Sequence, residues 1–453
     1  MGGEWTPCEI GDVFALHPGF AFRSQDFISS GIPVIKIKNV KADGLVLDDM
    51  SFVDESFLGT CGKYLLRDRD ILITLLGNRF DGSRDTWVGK VAQFRKRGNY
   101  LLNQRVAVLR AKPNSKVDNR CCSYILSSNY YQQLFIAIAT SSGGQANLSS
   151  SQVLSAEILL PPLPEQHAIA YILGSLDDKI ESNRRMNETL ESIARALFKS
   201  CVDFDPVRAK VEKRDTGLPR EIADLFPEEF EDSELGEIPR GWIVTSLGDQ
   251  ITASKGLSYK GKHLCNPGEG LPMHNLNSVY EGGGYKYEGL KWYNGEHRPS
   301  HLLEPGDVIV TNTEQGFDHL LIGYAAIVPK RYGPQGLSSH HIFRIQQKKT
   351  SHLPTWFTYL MLRTQRFHCL VAGHSNGTTV NMLPLDGLQK PRFVLPPRQV
   401  VERFGRLFSV IEDRIELIEN ENSSLVALRD LLLPKLISGE LRIGAAYPCS
   451  EEI

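Results

Sequence analysis

The sequence is poor in the features that mark a membrane protein, a metal site or a reaction centre. No apolar run approaches the roughly 18 residues that a membrane helix needs, and Met1 to Ile10 lacks the basic patch and apolar core of a secretion signal, so the expected compartment is the cytoplasm. The eight cysteines (Cys8, Cys61, Cys121, Cys122, Cys201, Cys265, Cys369 and Cys449) are scattered without a C-x-x-C pair, which reads as reduced packing thiols rather than zinc or redox chemistry. No G-x-x-x-x-G-K-[ST] phosphate loop is present, so ATP hydrolysis by this chain is not expected. Asn266-Pro267 is followed by Gly268-Glu269, where an adenine methyltransferase needs an aromatic to stack on a flipped base, and is read as a turn. Ten of the twelve histidines lie between His263 and His374, but neither H-x-H nor H-E-x-x-H spacing accompanies His340-His341. Asp70 and Asp307 precede strand-like runs and read as turn caps rather than nuclease carboxylates. No catalytic residue and no metal site is expected.

What is present is a soluble composition of unusual arrangement. At 453 residues, 41% hydrophobic and 23% charged, the chain suits two to four globular domains. Its net charge of −2 argues against nucleic acid until it is counted by segment. Residues 1–160 hold 18 Lys+Arg against 15 Asp+Glu, a balance of +3, and residues 241–395 hold 15 against 10, or +5. Residues 201–240 hold 6 against 12, or −6. The two long segments are mildly basic and the acid is concentrated between them, which suits DNA binding without demanding it.

The sequence also repeats itself. Trp5, Gly11 and Asp12 recur as Trp242, Gly248 and Asp249, and Asp70 to Thr74 recurs as Asp307 to Thr311, all at an offset of 237. Gly143, Asn147 and Leu148 return as Gly377, Asn381 and Met382, and Leu160-Pro161-Pro162 returns as Leu395-Pro396-Pro397. A period this long means a duplicated domain pair, not a solenoid.

Each copy opens with short apolar, β-branched runs between turn residues, for example Val34–Val40, Ile71–Leu76, Val88–Phe94 and Val106–Leu109. A more helical stretch follows, at Cys122–Ile138 and Pro354–Leu370. Each copy then ends in a long helix whose start is marked by proline. Ile169, Leu173, Leu176, Ile180, Leu190 and Leu197 in the first helix fall on coiled-coil spacing, as do Phe404, Phe408, Ile411, Ile415, Ile418, Leu425 and Leu432 in the second. Asn187 and Asn422 sit in these seams 235 residues apart and are expected to face each other. Helices of about 35 residues would run roughly 50 Å and, paired antiparallel, act as a spacer. The expected fold is α+β: two tandem mixed α/β globules separated by two long antiparallel coiled-coil helices in a pseudo-twofold repeat. The expected boundaries are 1–160, helix 161–200, acidic linker 201–240, 241–395, helix 396–441 and tail 442–453.

The central third of the chain resembles the specificity subunits of Type I restriction-modification enzymes. The resemblance lies in Leu160-Pro161-Pro162-Leu163-Pro164-Glu165-Gln166, in Leu197-Phe198-Lys199-Ser200 through Phe204 to Lys210, in Leu225-Phe226-Pro227, and in Ser233 through Trp242. The globules resemble the family's target recognition domains in framework only. The second helix departs from the pattern, beginning Leu395-Pro396-Pro397-Arg398-Gln399 without the Glu-Gln pair of the first. The resemblance implies that each globule reads one half of a split site in double-stranded DNA. It also implies that the helix pair sets the gap and docks two modification (methyltransferase) subunits that bind S-adenosylmethionine. Restriction subunits using ATP and Mg would join that core, and no catalysis would belong to this chain.

Base reading needs bidentate donors and acceptors on loops that enter a groove. The candidates in the first globule are Lys36, Lys38 and Asn39; Asn78, Arg79 and Arg84; Gln104 and Arg105; and Ser142 and Gln145. In the second they are His274, Asn275 and Asn277; Asn312, Thr313 and Gln315; His340 and His341; and Ser375, Asn376, Thr378 and Thr379. Similar loops with different residues at their tips imply an asymmetric target. Two other readings stay open at this point: a specificity subunit whose partner fuses methyltransferase and nuclease, and a scaffold that binds protein instead of DNA.

Overall fold

The computed structural model describes residues 4–41, 44–47, 50–80, 83–142, 145–287, 289–315, 318–377 and 380–443. The chain forms two compact units, Met1–Glu181 with Asn422–Ile453 and Ser182–Glu421.

Unit 1 is built on a four-stranded antiparallel sheet of β1 (Phe14–Pro18), β2 (Ile71–Thr74), β3 (Val91–Gln93) and β4 (Val106–Ala111), in the order β3-β2-β4-β1. Ile71–Thr74 and the stretch Val106 to Leu109 read as apolar runs because both sheet faces are covered there. Ile71, Ile73, Ala107 and Leu109 join the core under helices α1 (Asn119–Leu126) and α2 (Asn129–Ile138). Leu72, Val106 and Val108 point the other way, into a cluster with Ile35, Phe94 and Leu102. A second sheet contains Ile32–Ile35 running parallel to Leu101–Leu102. Thr6–Glu9 pairs antiparallel with Glu157–Leu160, so the globule's first and last strands are neighbours.

Unit 2 repeats the plan of the main sheet strand for strand. β5 (Ile251–Lys255), β6 (Val308–Thr311), β7 (Ala325–Ile327) and β8 (Ile342–Gln347) form an antiparallel sheet in the order β5-β8-β6-β7. Val308, Val310, Phe343 and Ile345 face α4 (Thr355–Leu362) and α5 (Gln365–Ala372), while Ile309 and Ile342 face the opposite cluster. Leu271–His274 runs parallel to Gly336–Ser338, and Ile243–Ser246 pairs with Arg392–Leu395. Asp70 and Asp307 do cap turns, accepting from the N–H of Arg67 at 2.9 Å and of Glu304 at 2.8 Å. Each also holds an arginine on the neighbouring strand, Arg110 at 2.7 Å and Arg344 at 2.9 Å.

The long helices are α3's equivalent pair in sequence: α3 spans Leu163–Val202 and α6 spans Arg398–Ile437. Leu176 and Ile180, like Leu425 and Leu432, are half-buried within unit 1. In unit 2, Leu190, Leu197, Ile411 and Ile415 are half-buried and Ile418 is buried. Inside unit 2 the pairing is antiparallel, with Asn183 donating to Glu421 at 2.8 Å and Asn187 to Glu419 at 2.5 Å. Inside unit 1, Asp177 meets Arg429 at 3.2 Å and Glu165 meets Arg442 at 2.7 Å, again antiparallel. Asn187, expected opposite Asn422, spends its amide within unit 2 on Glu419.

Two features of the sequence gain a physical explanation here. Glu165 is buried in unit 1, held by Arg442 and by the Trp5 indole N–H at 3.3 Å, and Gln166 accepts from the Asp118 N–H at 2.8 Å. Their counterparts in the second copy are Val400 and Val401, both fully buried. That apolar pair accounts for the missing Glu-Gln. Val400 joins Phe204, Val207, Ile222, Phe226, Trp242 and Phe404 in one cluster, so residues 201–240 are packed and not an open tether. The acidic composition hid this because the charges lie outward, while the buried aromatic positions are few and irregularly spaced.

Candidate nucleic-acid interface

The structure separates the candidate readers into those spent on the fold and those left facing outward. In unit 1 Asn39 is buried. It accepts from the Lys36 N–H at 2.9 Å and donates to the Val46 carbonyl at 3.0 Å, which shapes the loop. Lys36 lies over the Phe27 ring at 3.3 Å, whereas Lys38 is exposed. Asn78 holds its own loop through Thr86 at 3.2 Å, and Arg79 donates to the Ala139 carbonyl at 2.5 Å. Arg84, Gln104, Arg105 and Gln145 are exposed. The Ser142 side chain, with Gly143 and Gly144, lies outside the described residues.

In unit 2 His274 is buried, with Nδ1 2.8 Å from the Tyr285 hydroxyl, and burial holds its pKa down to about 3. Asn275 is buried and donates to the carbonyls of Met273 and Gly289. Asn312 donates to the His340 carbonyl at 3.1 Å, and Thr313 sits 2.9 Å from His341 Nδ1. Asn39, His274, Asn275 and Thr313 are thus buried and hydrogen-bonded within their own units, whereas Asn312 keeps a buried Oδ1 with no partner among the described residues. His340 and His341 are half-exposed with rings 3.7 Å apart. Burial, with Lys255 nearby, lowers the pKa of both, so they stand uncharged at neutral pH. Asn277 and Asn376 are exposed, and Ser375 is half-buried, donating to the Ala372 carbonyl at 2.7 Å. Thr378, Thr379 and the Gln315 side chain lie outside the described residues.

Sequence reasoning missed several residues around these loops. Phe80 is exposed beside Trp87, at a ring distance of 5.6 Å and next to Arg79. An aromatic within a basic loop was the available signal for it. Lys291 donates to the Tyr259 hydroxyl at 2.6 Å, beside the histidine pair. Lys90 is fully buried, and its ammonium donates to the Val40 carbonyl at 2.6 Å and to the Asp85 carbonyl, tying two candidate loops together. Burial lowers its pKa to about 8, with Lys41 adding to the effect.

The long helices carry a second kind of surface. In unit 2, Leu407, Val410 and Leu417 share one face of α6 and are 40%, 69% and 61% exposed. In unit 1, Leu428 and Leu431 are likewise exposed. These side chains stand off the seam at helical spacing, as an uncovered partner surface would. Among the described residues, no helix is long and apolar enough to cross a membrane, and no cluster of three metal-ligating side chains occurs.

Residues 2–192 match the family model of the Type I restriction modification DNA specificity domain. Over these residues the chain is similar to Type I restriction-modification specificity subunits. Among its curated relatives, the type I restriction enzyme HindI specificity subunit of Haemophilus influenzae is 26% identical over 394 residues, covering 76% of this chain and 82% of that one. The MjaIX specificity subunit of Methanocaldococcus jannaschii is 25% identical over 319 residues, covering 67% of this chain and 65% of that one. The crystal structure of the Type I restriction-modification system S subunit from M. genitalium shares the fold, with a TM-score of 0.58 at 16% identity, covering 95% of this chain and 96% of the other. The polar side chains left exposed at the tips of the two matched globules include Lys38, Arg84, Gln104 and Arg105 in unit 1 and Asn277 and Asn376 in unit 2.

Proposed function

We propose that this chain is the DNA-recognition subunit of a Type I restriction-modification complex and carries no catalysis itself. Each globule reads one half of a split, asymmetric site in double-stranded DNA. The helices hold the two readers apart and dock two modification subunits, which bring S-adenosylmethionine, and the restriction subunits bring ATP and Mg. The observation that carries this reading is the duplicated frame with different exposed polar residues at equivalent tips. A scaffold that bound the same protein twice would need the same tips twice. The exposed apolar faces of α6 support the docking role, because a helix already paired on one side has no other use for leucine in water.

The test is DNA binding by the complex of this chain with its modification subunit at rising salt. Binding should weaken steeply with salt, as phosphate contacts require, and should be retained against non-specific competitor DNA. A complex that assembles but binds DNA no better than the modification subunit alone would overturn the proposal in favour of the scaffold.

A further inference from the structure

Two tight turns, one in each unit, are the same object built twice. Each leads directly into a central strand, Asn103–Arg105 into β4 and Ser339–His341 into β8. In unit 1 the N–H of Asn103 donates to the Ile35 carbonyl at 3.0 Å, Gln104 to Phe20 at 2.9 Å and Val106 to Asn103 at 2.9 Å. In unit 2 Ser339 donates to His274 at 2.9 Å, His340 to Leu257 at 2.9 Å and Ile342 to Ser339 at 3.1 Å. The closing carbonyls match as well: Arg105 accepts from Leu75 at 2.9 Å and His341 from Asn312 at 3.1 Å. A glycine packs against each turn, and a Cβ on Gly19 would fall 2.3 Å from the Leu102 carbonyl oxygen, one on Gly256 2.3 Å from that of Ser339. The peptide path is therefore fixed by backbone bonds that do not depend on side-chain identity.

The side chains on this fixed path differ: Gln104 against His340, and Arg105 against His341. Gln104 and Arg105 are exposed, and among the described residues their head groups meet no partner. His341 is half-exposed, with Nδ1 engaged by Thr313. Asn39, Asn78 and Asn275 are instead hydrogen-bonded within their own loops. A rigid backbone presenting unspent bidentate or directional groups is what base-edge reading requires.

Resting on the DNA-recognition reading, we propose that these two turns are the matched base-reading heads, Gln104 and Arg105 setting the bases of one half-site and His340 and His341 those of the other. Arginine suits the O6 and N7 acceptors of guanine and glutamine suits the N6 and N7 edge of adenine, while a neutral imidazole offers one directional group.

The test exchanges the heads and leaves the frame alone. Gln104→His with Arg105→His, and separately His340→Gln with His341→Arg, are each assembled with the modification subunit. The bound sequence is then selected from randomised duplex DNA beside the wild type. The expected result is a wild-type split motif in which the first exchange changes one or two positions of one half and the second changes the other half, each roughly ten- to hundredfold in preference, as one bidentate contact implies. If an exchange fails to assemble, Arg105→Ala removes only an exposed side chain and should relax the same half. A wild-type split motif that all variants retain overturns this inference and leaves the DNA-recognition reading standing. A wild-type complex that selects no motif overturns both.

Discussion

Adding one methyl group at Gly256 should blur the reading of one half-site and leave the other sharp. The Gly256 backbone is one that alanine adopts without strain, so the effect comes from contact alone. Its Cβ would lie 2.3 Å from the Ser339 carbonyl oxygen and 2.4 Å from that of Ser338, where ordinary contacts begin at 3.4 Å. Both atoms are backbone, so the turn must move by about 1 Å. Overpacking of this kind costs about 1–3 kcal/mol, which for a unit of this size lowers Tm by only several degrees. A shift of about 1 Å at a base edge, however, forfeits most of a directional contact worth about 1–3 kcal/mol of discrimination. Gly19→Ala is the mirror experiment, with Cβ 2.3 Å from the Leu102 carbonyl oxygen and 2.5 Å from that of Asn103. The assay is fluorescence anisotropy on duplexes altered in one half or the other. Gly256→Ala should flatten discrimination in one half about tenfold or more, and Gly19→Ala in the other. Equal loss at both halves by either variant, or full discrimination retained by both, would refute the reasoning.

Other perturbations test other parts of the account. Lys90→Met removes the buried ammonium that ties the Val40 and Asp85 carbonyls, faced by Lys41 and Asp85. The folded chain sheds this proton near pH 8 while the unfolded chain keeps it to 10.5, so wild-type stability should rise between pH 8 and 10 relative to the variant, by at most about 3 kcal/mol. Thermal melts of both proteins across that range check the sign, and a parallel pH response refutes it. Replacing Arg363, buried against Tyr359 and paired at 3.0 Å with the partly exposed Glu191, by methionine should cost about 1–3 kcal/mol in urea unfolding, the loss of charge-assisted hydrogen bonds. Val410→Glu with Leu417→Glu should leave the chain folded by circular dichroism yet abolish co-purification with the modification subunit. Retained co-purification would remove α6 from the docking surface.

The fold was legible in the sequence wherever the repeat made each copy a check on the other. The sheet strands, the Asp70 and Asp307 caps and the two long helices all follow from runs that recur at one offset. What stayed hidden was pairing across distance. The Asn187 partner, Glu419, depends on the register of the two helices within unit 2, and no local pattern carries that. The packing of residues 201–240 depends on Phe204, Phe226 and Trp242 meeting Val400, which joins parts of the chain that are far apart in sequence. The candidate site was legible as a set of loops but not residue by residue. An asparagine that caps its own turn, such as Asn39 or Asn275, and one that faces solvent have the same composition around them. The match between the turns at Gln104 and His340 lies in backbone hydrogen bonds, which a sequence does not show.

The central claim is that this one chain reads two half-sites of different sequence. The most direct test is to co-express it with its modification subunit in a host free of DNA methylation and to map modified adenines by long-read sequencing. The account predicts a split, asymmetric motif, two short defined halves around a fixed gap. Methylation at a continuous motif, or at none despite a complex that forms and a modification subunit active with another specificity subunit, would contradict it.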